Sequence, residues 1–212
     1  MTPVLVLVHG WGFDASFWDP LRAALTGVES IAWDLGFRGR PARPLPPQGR
    51  PLIAVGHSLG LLWLMREQPF VWTRLVSING FPRFTKAEDF PDGVAPRLLD
   101  RMAGKLAAAA PAVTRDFLVR CGLDIQAHPI DEAALDAERL AWGLDGLAQW
   151  DCRRTPLPDL VLAGRNDPIV PATMTTAAFA SSSIRWHDDG HLLPLTAPDW
   201  CASHLRGMLE SV

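Results

Sequence analysis

The stretch Pro51-Leu52-Ile53-Ala54-Val55-Gly56-His57-Ser58-Leu59-Gly60-Leu61-Leu62 decides how this chain folds. Its first half is an apolar run that predicts a buried strand, and the apolar residues after Gly60 predict a helix. The pattern Gly-x-Ser-x-Gly between a strand and a helix makes a sharp turn that exposes the serine hydroxyl. We therefore predict that Ser58 lies at the carboxyl end of a strand, flanked by glycines because the turn leaves no room for a Cβ. The alternative is a small serine that merely fits a tight turn.

The composition restricts the class of protein. The chain has 212 residues, of which 48% are hydrophobic and 20% charged, as in a folded globular domain. A net charge of −3 argues against a nucleic-acid binder. Three cysteines without a Cys-x-x-Cys pair favour reduced thiols over a disulfide framework or a zinc site. The apolar run at residues 4–8 is too short for a signal peptide or a membrane span, so we expect a cytoplasmic protein that does not contact membranes.

Strands and helices alternate along the chain. Apolar runs predict strands at residues 4–8, 29–33, 52–55, 75–78, 160–162 and 184–186. Helical spacing predicts helices at residues 14–25, 59–67, 171–179 and 198–209. Residues 35–50 contain four prolines and three glycines and are predicted to form a loop. This order predicts an α/β fold with a mainly parallel, doubly wound sheet of about six strands.

Residues 81–150 interrupt the alternation, because no strand is predicted there. Apolar residues recur at helical spacing in Leu98, Leu99, Met102 and Leu106. Pro111 suits the first position of a second helix, and Asp131 suits the N-cap of a third that runs through Leu135 to Trp142. We predict a single domain over residues 1–212 with a helical insertion between two sheet strands. The insertion covers the active site as a lid, or it is a helical subdomain without a role in substrate binding.

Two loops near the carboxyl end of the chain supply partners for Ser58. A serine hydroxyl needs a base to take its proton and a third group to orient that base. Asp167 follows the predicted fifth strand, and His191 follows the sixth. The order Ser58, Asp167, His191 is typical of α/β-hydrolases and differs from that of other serine hydrolases. The alternatives are that Asp167 only caps the turn at Pro168 and that His191 is a structural histidine.

Two main-chain amides are candidate donors for an oxyanion. One is the N–H of Leu59, which follows the predicted nucleophile, and the other is the N–H of Trp11 in His9-Gly10-Trp11-Gly12. His187 and His191 are spaced like a metal pair, but Asp188-Asp189-Gly190 predicts a turn between them. We therefore predict no metal and no organic cofactor.

The motifs together resemble the α/β-hydrolase superfamily over nearly the whole chain. Within it, the sequence most resembles the biotin-synthesis esterases that hydrolyse pimeloyl-acyl-carrier-protein methyl ester. The specific likeness is carried by Val-Leu-Val-His-Gly-Trp-Gly at residues 6–12 with Trp18, by Phe84 and Asp-Phe-Pro-Asp-Gly at residues 89–93, by Phe117-Leu118, and by Gly143-Leu144, Leu147, Asp151 and Arg153. His57 stands where better-known members have tryptophan, and the loop at residues 41–50 replaces a helix.

The resemblance implies a role for each site. Ser58, Asp167 and His191 form the catalytic triad, and Trp11 and Leu59 bind the acyl carbonyl. A lid segment lines the acyl channel, and its best match is Phe117, Leu118, Val119, Arg120 and Cys121. Basic lid residues contact the acidic acyl-carrier protein, and the candidates are Arg101, Lys105, Arg115 and Arg120. The implied reaction yields pimeloyl-acyl-carrier protein and methanol, and small esters are further substrates.

The charge pattern of the insertion gives a second indication of that partner. The first half, from Arg97 to Arg120, has five basic residues against Asp100 and Asp116. A basic surface would speed encounter with an acidic carrier protein, although two solvated helix faces would show the same pattern. Two other functions stay open on the sequence, namely a general short-chain carboxylesterase or thioesterase and a non-catalytic binding protein on a hydrolase scaffold.

Overall fold

The computed structural model describes residues 2–210 and contains one sheet of six parallel strands. The strands are Val4–Val8 (β1), Ser30–Trp33 (β2), Leu52–His57 (β3), Arg74–Ile78 (β4), Leu160–Gly164 (β5) and Ile184–His187 (β6). Their order across the sheet is β2-β1-β3-β4-β5-β6, and every neighbouring pair is parallel. The predicted α/β fold class is therefore confirmed.

The two central strands explain why the apolar runs carry so much information. Every residue of β1 and of β3 is buried, because helices cover both faces of the sheet. A strand that is buried on both faces reads as a continuous apolar run instead of an alternating one. The β1–β3 register pairs Val6 with Ala54 and Val8 with Gly56. This pairing places the loop after β1 beside the turn after β3.

The strand order creates a crevice beside that turn. The chain passes from β1 outward to β2 and then returns to β3 on the other side of β1. Connections that leave neighbouring strands in opposite directions open a crevice at the carboxyl ends, where α/β proteins bind ligands. Residues 9–12 and Ser58 lie at the two sides of this crevice.

Seven α-helices accompany the sheet within residues 2–210. They are Asp19–Ala24 (α1), Leu59–Glu67 (α2), Pro96–Arg120 (α3), Ala137–Gln149 (α4), Ala172–Ala178 (α5), Leu193–Thr196 (α6) and Pro198–Leu209 (α7). The helix predicted over residues 14–25 is divided into a 3₁₀ turn at Ala15–Trp18 and the short α1. Pro20 at the start of α1 has no N–H for the preceding turn to bond, which favours a new helix there.

The segment between β4 and β5, residues 81–150, contains α3 and α4 and is called the α3–α4 segment below. Helix α3 is broken at Ala109, whose backbone is non-helical, and Pro111 lies in the first turn of its second half, as predicted. The predicted N-cap of the next helix is wrong. Asp131 caps only the 3₁₀ turn Glu132–Ala134, and Asp136 caps α4 by accepting the N–H of Arg139. Extended backbone at Leu135 separates the two elements.

An ion-pair network joins the two ends of the α3–α4 segment. Arg83, near its beginning, donates to Asp151, near its end, at 2.6 Å. Arg153 donates to Asp151 at 2.7 Å and to Asp89 at 3.0 Å, and its guanidinium lies over the ring of Phe90. These hydrogen bonds, Arg153 first, hold the pKa of Asp151 well below its usual range. Several of the residues that carry the family resemblance thus fix where the segment leaves and rejoins the sheet.

Across residues 2–210, no helix is both long and apolar enough to cross a membrane.

Candidate active site

Ser58 lies at the junction of β3 and α2 with a strained backbone. Its φ of 53° and ψ of −124° lie in a region that residues with a side chain rarely adopt. The side chain makes no hydrogen bond to the start of α2. A serine used only as a helix cap would make that bond, so the hydroxyl is left for another purpose.

The flanking glycines are required by close approach. A Cβ on Gly56 would lie 2.4 Å from the Cα of Leu61 in α2, and a Cβ on Gly60 would lie 2.1 Å from the carbonyl oxygen of Val8. Both contacts are with backbone, which cannot yield as a flexible side chain would. The predicted reason for the two glycines is correct, and the structure shows that β1 and α2 are the obstacles.

Asp167 and His191 form a buried hydrogen-bonded pair. Nδ1 of His191 lies 2.7 Å from Oδ2 of Asp167, and the two side chains are 1% and 0% exposed. The other oxygen, Oδ1, accepts the N–H groups of Ile169 and Val170 at 2.7 and 2.8 Å. Because a carboxylate only accepts, the proton is on Nδ1, and Nε2 of the neutral ring has its lone pair free.

This free nitrogen has no hydrogen-bond partner among residues 2–210. No hydrogen bond joins Nε2 of His191 to the Ser58 hydroxyl, which is common in a free enzyme before substrate binds. The two residues are linked through His57, whose ring centre lies 4.8 Å from that of His191. The Asp167–His191 pair thus supplies a base with a free nitrogen, and the residue next to Ser58 contacts its ring; serine-dependent acyl transfer requires such a base.

His57, which stands where better-known members have tryptophan, contacts the loop that carries His191. Its Nε2 lies 2.9 Å from the main-chain oxygen of His191, and its ring packs 4.4 Å from that of Phe17. A carbonyl oxygen only accepts, so Nε2 carries the proton. Burial, followed by the neighbouring His191, lowers the pKa of His57 well below its usual value. His57 is therefore a neutral donor.

Asn79 is a site residue that the sequence analysis missed. It follows β4, is buried, and has a φ of 48°, which asparagine tolerates better than most residues. Its amide Nδ2 donates to Oδ2 of Asp167 at 2.7 Å, the same oxygen that binds His191. The signal was present in Ile78-Asn79-Gly80, a polar residue at the carboxyl end of a buried strand, but neither motif nor spacing singled it out.

Both predicted oxyanion donors lie at the crevice. The N–H of Leu59 stands in the first turn of α2, where helices leave their N–H groups without an intrahelical acceptor. Neither this group nor the N–H of Trp11 has an acceptor among residues 2–210. His9 accepts the N–H of Leu35 at 3.0 Å and bonds the oxygen of Gly10 at 2.9 Å, so it braces the loop that presents Trp11.

The side chain of Trp11 connects that loop with the α3–α4 segment. Its indole N–H donates to the oxygen of Leu140 in α4 at 2.8 Å, and its ring meets that of Phe117 edge-on at 5.0 Å. The indole thus contacts both helices of the segment.

A cavity of about 390 Å³ opens between α3, the start of the α3–α4 segment and the loop after Asp167. Its walls are mostly apolar and include Leu99, Met102, Phe117 and Ile169. Its rim carries the cations Arg101, Lys105 and Arg120 and one acid, Asp116. The size and the apolar lining are typical of sites for small organic ligands.

The structure separates the predicted lid residues into two groups. Phe117 and Arg120 line the cavity, whereas Leu118 and Cys121 are buried away from it and Val119 points outward with 50% exposure. Two of the five predicted residues thus line the cavity, because a helix turns only every third or fourth side chain to one face. Burial raises the pKa of the Cys121 thiol, which keeps it protonated and unreactive.

Three of the four residues predicted to contact the carrier protein line the cavity, and the fourth does not. Arg101, Lys105 and Arg120 stand at the cavity rim, and none of them has an ion-pair partner within residues 2–210. Arg115 is instead paired with Glu132, beyond α3.

No group of three or more metal-ligating side chains exists among residues 2–210. His187 accepts the N–H of Asp189 at 3.2 Å and packs against Trp200, whereas His191 is bound to Asp167. The two histidines have different partners, in accordance with a turn between them.

The low pKa of His57 predicts a pH effect on stability. The unfolded chain binds a proton below about pH 6.5 and the folded chain does not, so this stabilisation is present above pH 6.5 and is lost on acidification. Between pH 7.5 and 5.5 we expect the wild type to lose about 1.4 kcal/mol more unfolding free energy than His57→Gln. Urea unfolding at the two pH values measures this, and equal losses would contradict it.

The sequence and the fold are similar to those of known esterases. The sequence is 31% identical over 188 residues to the pimeloyl-acyl-carrier-protein methyl ester esterase of Legionella pneumophila strain Corby, with 79% of this chain and 77% of the relative covered. A protein of the same name from Xanthomonas oryzae pv. oryzae strain MAFF 311018 is 30% identical, with 99% and 96% covered. The solved structure of an esterase from Exiguobacterium antarcticum has a TM-score of 0.82 at 16% identity, over 99% of this chain and 92% of that one. No family model matches the chain.

Proposed function

The chain belongs to the family of pimeloyl-acyl-carrier-protein methyl ester esterases within the α/β-hydrolases, and we propose that it removes the methyl group from a pimeloyl methyl ester carried on acyl-carrier protein. It is a carboxylic ester hydrolase. The observation that carries the proposal is the buried Asp167–His191 pair, whose Nε2 has no hydrogen-bond partner within residues 2–210, together with Ser58, which is itself buried at the junction of β3 and α2.

The reaction proceeds in two halves. Nε2 of His191 takes the proton of Ser58 while Oγ attacks the ester carbonyl, and it then returns that proton to the departing methoxide as methanol leaves. A water molecule, deprotonated by the same nitrogen, attacks the resulting acyl-serine, and Nε2 returns this proton to Oγ of Ser58 as the pimeloyl carboxylate leaves. Asp167 keeps the proton on Nδ1 throughout and stabilises the imidazolium that forms in each half.

The main-chain amides of Trp11 and Leu59 stabilise the negative charge on the carbonyl oxygen. Each is free of an internal acceptor within residues 2–210 and lies at the carboxyl edge of the sheet. Donors fixed in a water-poor site favour the transition state because they need no reorientation when the charge appears.

The cavity adjoins the site through Phe117, which meets Trp11, and through Ile169, whose N–H donates to Asp167, and it suits an acyl chain attached to an acidic protein. Its apolar walls would hold the methylene groups, and Phe117 joins them to Trp11. The unpaired cations Arg101, Lys105 and Arg120 would face the carrier protein at the mouth. We further propose that the α3–α4 segment acts as the lid of a single domain and that the enzyme works in the cytoplasm, where its three buried free cysteines stay reduced.

The substrate is tested by comparing turnover of methyl pimeloyl-acyl-carrier protein with that of a free short-chain p-nitrophenyl ester. We expect kcat/KM to be higher for the carrier-bound ester, because the cationic rim adds interactions that the free ester lacks. Hydrolysis of the free ester alone would refute the carrier-bound substrate and favour a general short-chain carboxylesterase.

The rim makes a separate prediction by charge reversal. In Arg101→Glu/Lys105→Glu, we expect kcat/KM for the carrier-bound ester to fall about tenfold more than that for the free ester, because like charges now slow encounter. The control Arg40→Glu/Arg154→Glu changes the net charge equally at exposed positions away from the rim. The difference should shrink in 0.5 M salt, which screens surface charges. An equal fall for both substrates would show that the rim does not contact the carrier.

A further inference from the structure

The loop that carries His191, residues 188–192, is held by hydrogen bonds that its main-chain oxygens accept. The side chain and the main-chain N–H of Asn166 bond the oxygens of Asp188 and Asp189. Asn79 Nδ2 lies 3.3 Å from the oxygen of Gly190, and His57 Nε2 lies 2.9 Å from that of His191. Four consecutive carbonyl groups therefore each have a donor, and the two nearest the imidazole are served by buried side chains.

The chemistry of these contacts fixes the state of both donors. Asn79 faces Oδ2 of Asp167 and the oxygen of Gly190, which only accept, so its NH₂ group must point toward them. His57 likewise donates from Nε2, and its Nδ1 has no partner within residues 2–210. A doubly protonated ring would place an unpaired N–H there in a fully buried site, which is unfavourable.

Neither residue can exchange its partner for another one nearby. His57 is enclosed by the rings of Phe17, Trp18 and His191. Asn79 is fixed by its position directly after β4, where its own N–H donates to the oxygen of Leu162 in β5 at 2.9 Å. The two donors thus stand on the rigid ends of β3 and β4, while the loop that they hold is irregular.

We propose that His57 and Asn79 are positioning residues, which hold the main chain at residues 190 and 191 so that Nε2 of His191 faces Ser58. Asn79 also binds the carboxylate oxygen that orients the imidazole, so it ties Asp167 and the loop to one strand end. This inference rests on the proposed triad but not on the proposed substrate. A displacement of about 1 Å at a reacting group can cost about a hundredfold in rate, so holding the loop matters to turnover.

Three variants distinguish loss of a hydrogen-bond donor at His57 or Asn79 from loss of side-chain volume. His57→Phe keeps an aromatic ring and removes the donor, and His57→Gln keeps an N–H near the position of Nε2. Asn79→Gly removes the amide, and glycine adopts the positive φ at this position without strain. The matched control is Ser77→Ala, since Ser77 is fully buried on β4 and its hydroxyl has no partner within residues 2–210.

Two measurements are made on each variant with a p-nitrophenyl ester as substrate and with circular dichroism as a check of folding. The first is kcat and KM separately. The second is the far-downfield proton resonance of the hydrogen bond between Nδ1 of His191 and Asp167. A substrate other than the proposed one leaves both measurements valid, so failure here and failure of the proposed function are distinguishable.

We expect kcat to fall between about tenfold and a hundredfold in His57→Phe and Asn79→Gly, with KM nearly unchanged and the proton resonance shifted or broadened. His57→Gln should keep most of the wild-type kcat, and Ser77→Ala should match the wild type. Wild-type kcat in folded Asn79→Gly or His57→Phe would overturn the proposal. Equal losses in His57→Gln and His57→Phe would also overturn it, because the donor would then be irrelevant. If His57→Phe does not fold, Asn79→Gly and His57→Gln decide.

Discussion

Ser58→Ala is expected to lower kcat for ester hydrolysis by on the order of a millionfold, which is the loss typical when the nucleophile of a serine triad is removed. His191, Asp167 and both main-chain amides would remain, but no atom would be left to form the acyl-enzyme. The residual rate would come from binding and oxyanion stabilisation acting on water. Hydrolysis of a p-nitrophenyl ester and labelling by a fluorophosphonate probe measure the loss.

The same variant should fold normally, which makes the result interpretable. The Ser58 side chain makes no cap hydrogen bond. Alanine and serine both have a Cβ, so the strained backbone of the turn costs them about the same free energy. We expect its unfolding free energy to stay within about 1 kcal/mol of the wild type. Ser77→Ala serves as the control for loss of a buried serine and should be labelled normally. Labelling that survives in Ser58→Ala would identify a different nucleophile and refute the proposed site.

Asp167→Asn is expected to lower kcat by about ten thousandfold while the fold is kept. All four groups around the carboxylate are donors, namely the N–H groups of Ile169 and Val170 on Oδ1 and those of His191 and Asn79 on Oδ2. An amide offers one oxygen, so its NH₂ group must face two of these donors. The main-chain N–H groups cannot change, but an imidazole can move its proton to the other nitrogen.

We therefore expect the amide NH₂ to face His191. The imidazole then adopts the other tautomer, in which Nδ1 accepts a hydrogen bond and Nε2 carries the proton. In that tautomer Nε2 cannot take the proton of Ser58, and the base is lost without any change of shape. The rate of fluorophosphonate labelling should fall in parallel with kcat. Asp199→Asn, an exposed residue of α7, is the matched control and should keep full activity. A loss below about tenfold in folded Asp167→Asn would mean that another group orients His191.

The sheet shows how much could be predicted from local pattern. Runs such as residues 4–8 and 52–55 are apolar throughout because both faces of the sheet are covered, and that pattern alone gave all six strands to within three residues at each end. The α3–α4 segment was harder, since Asp131 and Asp136 both precede helical turns. Which of them begins α4 depends on the extended backbone at Leu135, and composition gives no sign of it.

The sequence by itself determined the parallel sheet, the strained turn at Ser58 and the acid and base candidates, because each depends on a local periodicity or on a residue type at the end of one strand. Only the tertiary structure revealed Asn79 and the role of His57, and which cations line the cavity. The partner of Asn79 is Asp167, 88 residues away, and that of His57 is the oxygen of His191, 134 residues away. Hydrogen bonds over such separations depend on strand order and register, and these are properties of the packed sheet that no local stretch of the chain contains.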